Sequence, residues 1–273
     1  MRCDPYMKGR HRAVYLGLAL ILYDATPVVS STNDLWFPVG ETLEYRLYWG
    51  IIPVGSARIW SEWVEEDGKK FVALRMTAKT ARLVDAIYPV DDFIESIVAP
   101  ETFLPVRYTQ RLKEGRKKRR NEIWHFNHAE KEVVQHDFWK SQTNLFAIAS
   151  DTRDILTFIY YMRNARADVA KEKVFKVIAD DKVYDLKLGE VRRETIRLGR
   201  FGRVRTLHLE PVAKFGEILN RKGKIWVWFS DDDRRVCVQM TGKVPVADFR
   251  AVLSKVRGPG SDRWVTTSGG KRR

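Results

Sequence analysis

The chain has 273 residues, 44% of them hydrophobic and 31% charged, which is the balance of a folded protein with one large β domain or two small ones and excludes a chain too polar to build a core. Forty-nine Lys and Arg against 35 Asp and Glu give a formal net charge of +14. A field of that sign attracts phospholipid headgroups, lipopolysaccharide, acidic polysaccharide or nucleic acid, and charge alone does not choose among them.

Lys8, Arg10 and Arg12 precede the run Ala13 to Tyr23, which is wholly apolar or Gly, and Val28-Val29-Ser30 follow at a plausible cleavage position. This is the pattern of a signal peptide over residues 1–30, with Met7 as an alternative start. The run is short for a membrane-spanning helix, which needs about 20 apolar residues. No Cys follows it, so a lipid-attachment box is missing. The expectation is export to the periplasm or to the periplasmic face of a membrane, and not as a lipoprotein. Cleavage would leave 45 basic and 33 acidic residues, a charge of +12. It would also remove Cys3 and leave Cys237 alone, which reads as a small buried apolar residue within Val236-Cys237-Val238.

Beyond Ser30 the pattern has period two. Leu43, Tyr45, Leu47 and Trp49 alternate with polar positions and predict a half-buried strand. Gly50 to Pro53 break it, Ser56 to Val64 and Lys70 to Thr80 resume it, and Glu66-Asp67-Gly68 turn between them. Further strands are predicted over Asp91 to Val98, Pro105 to Lys113, Arg119 to Asn127 and Glu132 to Trp139. The apolar stripe Ile155, Leu156, Phe158, Ile159, Met162 predicts the one helix, Thr152 to Arg163, capped by Ser150-Asp151. Strands return over Val174 to Ala179, Lys182 to Leu188, Thr195 to Leu198, Arg203 to Pro211, Lys224 to Ser230, Arg235 to Lys243 and Ala247 to Val256. Gly, Ser, Pro and basic residues from Arg257 to Arg273 predict a disordered basic tail.

The fold class is therefore all-β: a curved antiparallel meander closing into a barrel or half-barrel, with a sandwich as the alternative and one short helix near 152–163. Accumulated twist keeps so many strands from staying flat. The reading is one domain over 31–256; a division near 145–170 is the alternative.

Several local patterns combine. Phe37-Pro38-Val39-Gly40-Glu41 leads into Leu43, Tyr45 and Trp49-Gly50, then Ile52-Pro53-Val54-Gly55-Ser56-Ala57. Near the end stand Ile225-Trp226-Val227-Trp228-Phe229-Ser230, Asp231-Asp232-Asp233-Arg234-Arg235 and Lys243-Val244-Pro245. Together they resemble the bacterial exported-protein family catalogued as domain of unknown function 3108, over about Phe37 to Val256. The resemblance implies a curved antiparallel domain in the periplasm and supplies no reaction, cofactor or catalytic residues. Members often carry another residue where Cys237 stands, so no redox role follows for it.

No motif in the chain points to catalysis, and no cofactor or metal is expected. Gly40, Gly50 and Gly55 lie between strands rather than at a strand-to-helix phosphate loop. His125, His128, His136 and His208 lack the spacing of a zinc site. Asp231-Asp232-Asp233 lacks the alternation of a calcium loop and reads as a hairpin turn paired with Arg234 and Arg235.

Two features are candidates for ligand binding. Arg116, Lys117, Lys118, Arg119 and Arg120 cluster at a predicted hairpin tip, suited to phosphate groups or simply to a solvated turn. Trp226 and Trp228 share one face of a predicted strand and, with Trp60, could line a lipid or glycan site if that face points inward; a filled core is the alternative. The leading reading is a non-enzymatic binding or carrier module for an amphipathic or anionic envelope molecule. Its candidate partners are anionic lipid, lipopolysaccharide or polysaccharide; nucleic acid is the weakest, because an exported protein rarely meets it. The alternatives are a scaffold or accessory subunit with an envelope protein partner, and a cell-wall glycan hydrolase.

Overall fold

The computed structural model describes residues 35–116, 118–164, 173–213, 224–243 and 248–261, all within the unit Asn33–Arg273. The expected leader, Lys117 and the expected tail beyond residue 261 lie outside the described residues.

The chain opens with β1 (Thr42–Trp49), β2 (Ile52–Glu66) and β3 (Lys69–Thr80). Leu43, Tyr45 and Leu47 of β1 are buried on one face, as their alternation predicts. Asp67 and Gly68 both have positive φ, 51° and 70°, the backbone of a tight hairpin turn that matches strand twist. A single helical turn, α1 (Arg82–Asp85), then links to β4 (Asp91–Ala99). The meander continues through β5 (Leu104–Glu114), β6 (Lys118–Asn127), β7 (Glu132–Asp137) and β8 (Gln142–Ala147). The two-residue β9 (Arg153–Asp154) leads straight into α2 (Ile155–Met162). Then come β10 (Val174–Ala179), β11 (Lys182–Leu188), β12 (Arg192–Leu198), β13 (Gly202–Leu209) and β14 (Pro211–Ala213). The last strands are β15 (Lys224–Ser230), β16 (Cys237–Lys243) and β17 (Asp248–Arg257).

Thirteen strands form one sheet in the order β12-β13-β15-β16-β17-β1-β2-β3-β4-β5-β6-β7-β8. The chain thus starts in the middle of the sheet and completes one wing before the other. The end strands β12 and β8 are not paired, so the sheet stays open and the closed barrel among the expected forms is not the one adopted. Register shifts at Glu44/Tyr45, Leu47/Tyr48, Ile97/Val98 and Trp228/Phe229 mark bulges, which add twist and curl the sheet. A second sheet, β14-β11-β10-β9, includes the parallel pair β9–β10, which a reading in consecutive antiparallel hairpins does not anticipate.

Among the described residues, two apolar clusters and α2 pack within the curl. Helix α2 packs against β3, β4 and β10. Leu156 and Tyr160 join Leu43, Val72, Val98, Trp124, Val133 and Leu253 in one core. Phe158 and Met162 join Phe175, Val177, Leu209, Val227, Phe229 and Cys237 in a second. The helix begins later than predicted, and its cap is Asp154, not Ser150-Asp151: the Asp154 carboxylate accepts from the backbone N–H groups of Leu156 and Thr157, both at 2.9 Å.

Candidate functional site

Sequence reasoning placed Trp226 and Trp228 on a face that could line a cavity. The structure gives the buried face to the other phase of β15. Val227 and Phe229 are buried in the second core, while Trp226 and Trp228 are half-buried on the opposite face. Every residue of Ile225-Trp226-Val227-Trp228-Phe229 is apolar, so alternation fixes the two faces but not which one turns inward. Trp228 stacks on His208, ring centroids 4.4 Å apart and 3° from parallel, and its indole N–H donates to Glu194. Trp226 donates to Glu210 at 3.3 Å. Trp60 stands apart on β2, with the Arg58 guanidinium 4.7 Å from its ring centroid. The three tryptophans share no site.

The basic run also divides. Gly115 and Arg116 form the β5–β6 tip, with Arg116 exposed. Arg119 turns back to donate to the Gly115 carbonyl at 2.9 Å. Arg120 is no fingertip cation. Its guanidinium lies 3.3 Å from the fully buried Glu122 and 3.2 Å from Asp181, in the turn between β10 and β11. Burial opposes the charge of Arg120, but Glu122, Asp181 and Asp180 outweigh it and raise its pKa above the ordinary guanidinium value. The alternation of β6 explains the split: Arg120, Glu122 and Trp124 share the inward face.

Around Glu122 the core holds a hydrogen-bonded polar network. One Glu122 oxygen accepts from Gln110 at 2.6 Å, Gln135 at 2.9 Å and the Trp124 indole at 3.0 Å. Gln135 also donates to Asp181 at 2.8 Å. Each carboxylate is thus bound by protein donors, which is how a buried charge is kept and not how a proton-transfer pair is left free to act. Among the described residues no group of three or more His, Cys, Asp and Glu side chains is placed to hold a metal ion.

Arg234 is a further correction. The Asp231-Asp232-Asp233 segment does turn the chain, because Asp232 accepts from the backbone N–H of Arg234 and of Arg235. The Arg234 side chain, however, leaves the turn and reaches buried Glu41, which Arg163 also contacts at 2.7 Å. Cys237 is buried as expected, and burial pushes its thiol up to about 12.

Among the described residues an open concavity lies on the outer face of the sheet. A groove of about 390 Å³ runs across β17, β1, β2 and β3. Register makes it: Arg46 lies opposite Ser56 and Ser56 opposite Lys79, while Glu44 lies opposite Arg58 and Arg58 opposite Thr77. Arg46, Arg58 and Lys79 are exposed along it. Lys79 contacts Asp91 at 3.1 Å, and Arg257 takes up Glu44 at 2.5 Å. Gly55 floors the groove because a Cβ there would lie 2.2 Å from the Lys79 carbonyl oxygen. These outward positions are legible as the polar phase of three strands; their meeting depends on register, which the sequence does not state.

The family model for the protein of unknown function DUF3108 matches residues 44–254. The chain belongs to the DUF3108 family. The DUF3108 match begins at Glu44 and ends at Ser254, two residues of the groove joined by a bond from the Ser254 hydroxyl to the Glu44 carbonyl at 3.0 Å. No curated protein matches the chain. In fold the chain is similar to the crystal structure of a β-barrel-like protein of domain of unknown function DUF1849 from Brucella abortus. The TM-score is 0.50 at 11% identity, over 81% of this chain and 98% of that one, so the likeness concerns the fold alone. A DUF1329 family protein from Desulfovibrio piger ATCC 29098 gives a TM-score of 0.20 at 12% identity, over 86% and 93% of the two chains, and carries no argument.

Proposed function

We propose that this chain is an exported, non-enzymatic binding module of the bacterial envelope, and that it holds the anionic group of an envelope lipid or glycan on its outer sheet face. The observation that carries the reading is the groove around Arg46 and Arg58. Two exposed guanidiniums stand on it without an ion-pair partner among the described residues, beside the hydroxyls of Ser56, Thr77 and Ser254. Guanidinium forks with neighbouring hydroxyls suit phosphate or carboxylate oxygens. The apolar clusters packed among the described strands and α2 are consistent with binding at the surface. The same packing, with apolar side chains exposed at one end of the sheet, favours the accessory-subunit reading as the second choice. The hydrolase reading gains nothing from Glu122 and Asp181, whose oxygens are engaged by Gln135 and Arg120.

The test is calorimetric titration with lipopolysaccharide stripped of its ester-linked acyl chains, before and after enzymatic dephosphorylation. The phosphorylated form is expected to bind, and the pair Arg46→Glu with Arg58→Glu to weaken it by about tenfold or more at unchanged thermal stability. Equal binding by the variant, or equal binding of the dephosphorylated form, would overturn the assignment of the groove.

A further inference from the structure

The two ends of the thirteen-stranded sheet differ in chemistry. One end carries the β1–β2, β3–β4, β5–β6, β7–β8 and β16–β17 connections and the start of β15. Of the thirteen large apolar side chains exposed among the described residues, ten lie there. Ile51 and Ile52 project from the β1–β2 tip beside Trp49, Leu83, Ile87 and Tyr88 from the β3–β4 connection, and Trp139 from the β7–β8 turn. Ile51 is 89% exposed, Leu83 89% and Ile87 80%. The other end, with the β2–β3, β4–β5, β6–β7 and β15–β16 turns, carries none of the thirteen and bears charged side chains of both signs instead, Asp67, Glu101, Glu130, Asp232 and Asp233 with Lys69, Lys70 and Lys131.

The apolar tips are held together and are not frayed loops. The Gly50 N–H donates to the Asp248 carbonyl at 2.8 Å, tying the β1–β2 tip to β17. Ala81 donates to Val54 at 2.8 Å, tying the β3–β4 connection to β2. Gly115 donates to Pro89 at 2.7 Å and packs under the Tyr88 ring, tying the basic β5–β6 tip to the same connection. Exposed cations stand among and just behind these tips: Arg82 in α1, Arg116 at the β5–β6 tip, Lys140 in the β7–β8 turn, and Arg46 and Lys79 on β1 and β3. Arg46 precedes Trp49 by three residues, about 10 Å along a strand.

We infer that this rim docks on the surface of an anionic lipid bilayer. Ile51, Leu83 and Ile87 enter the headgroup–acyl boundary, Trp49, Tyr88 and Trp139 lie at the level of the headgroups, and the cations behind them face the lipid phosphates. Interfacial segments bury apolar side chains about 5–10 Å deep, which leaves cations set back by about 10 Å at phosphate depth. Aromatic rings with one polar edge collect at that level. Charge complementarity selects an anionic surface over a neutral one, because exposed Arg46, Lys79, Arg82, Arg116 and Lys140 outnumber the exposed Asp85, Asp91 and Asp248 among the described residues of the same end. No helix among the described residues is long and apolar enough to cross a membrane. The inference rests on the rim and shares with the proposed function only Arg46 and Lys79; the variants below leave both in place, so each reading can fail without the other.

The experiment is hydrogen–deuterium exchange of the full chain, alone and with vesicles of phosphatidylcholine with or without phosphatidylglycerol. Amides of Gly50–Ile52, Leu83–Tyr88 and Phe138–Trp139 are expected to exchange at least about threefold more slowly on the anionic vesicles, with the turns at Asp67-Gly68 and Asp232-Asp233 unchanged. The pair Ile51→Asp with Ile87→Asp alters exposed side chains only, and is expected to abolish that protection while thermal stability is kept. Because the readout is local, vesicle binding driven by the apolar stretch Ala13 to Tyr23 does not imitate it. Unchanged rim exchange, equal protection of both ends, or equal protection on neutral vesicles would overturn the inference. Protection of the rim without lipid, growing with protein concentration, would overturn it in favour of a second copy of the chain.

Discussion

Glu41 is fully buried, yet it holds a carboxylate against two guanidiniums. Arg163 closes the C-terminal end of α2 and approaches Glu41 at 2.7 and 3.4 Å, and Arg234 comes from the β15–β16 turn and also donates to the Gly260 carbonyl. Two parts of the chain that lie 122 and 193 residues from Glu41 are thus tied to its side chain, and Arg234 ties in the segment after β17. Such a cluster is maintained because each partner, left alone, would be an uncompensated buried charge. Glu41→Ala strands both guanidiniums and is expected to cost about 3–5 kcal/mol, read as a fall in the urea midpoint. A loss within about 0.5 kcal/mol would mean that water reaches the two arginines and that the clamp carries no weight. The sequence showed Glu41 only as part of a Pro-x-Gly-Glu pattern, and showed Arg234 only as the neighbour of three aspartates. Nothing local marks a partner so far along the chain.

At the scale of elements, α2 illustrates both the reach and the limit of pattern. Its apolar stripe is legible because period 3.6 stands out among strands of period two. Its start is not, because Ser150, Asp151 and Asp154 are all good caps and only packing selects Asp154. That side chain accepts from Ser96 at 2.6 Å and from the Thr157 hydroxyl at 2.7 Å as well as from two backbone N–H groups. Burial raises its pKa above the ordinary 3.8, although these hydrogen bonds pull the other way. A carboxyl whose folded pKa is raised binds its proton more tightly in the folded chain. Its contribution is therefore full below about pH 4 and is lost as pH rises through the folded value. Asp154→Asn keeps an acceptor at the cap and cannot ionise. Thermal unfolding from pH 3 to pH 7, both limits being about the range in which a carboxyl titrates, should show the variant gaining on the parent as pH rises. A constant difference across the range would refute the shift. Strand β8 was missed for a related reason: its residues are mostly exposed, and an edge strand without a buried phase gives no alternation to read.

For the whole molecule, the largest core draws on Phe37 before β1, Ile148 after β8, Tyr160 of α2, Ile178 of β10, Leu198 of β12 and Leu253 of β17. A core that takes residues from both sheets and from the helix couples them energetically. Unfolding of the chain in urea is therefore expected to be one transition, with far-ultraviolet dichroism and tryptophan fluorescence coinciding. Two separated transitions would mean that β9 to β11, β14 and α2 unfold as a unit of their own, and that the division near 145–170 weighed from the sequence describes the energetics better. The order of the large sheet also explains the placement of the groove. Early strands occupy its middle, and the register of β1, β2, β3 and β17 brings Arg46, Arg58, Lys79 and Ser254 together from both ends of the chain.

By itself the sequence determined the period-two strands from Leu43 onward, the tight Asp67-Gly68 turn, the helical stripe of 155–162 and the burial of Cys237, since each depends on residues close in the chain and on the alternation of faces. Tertiary structure alone decided which phase of Ile225-Trp226-Val227-Trp228-Phe229 is buried, that Arg120 and Arg234 turn inward to Glu122 and Glu41, that the sheet stays open, and that the apolar tips gather at one end. These outcomes depend on register and on partners far apart in sequence. A shift of one residue between strands exchanges every inward and outward side chain without altering any local pattern.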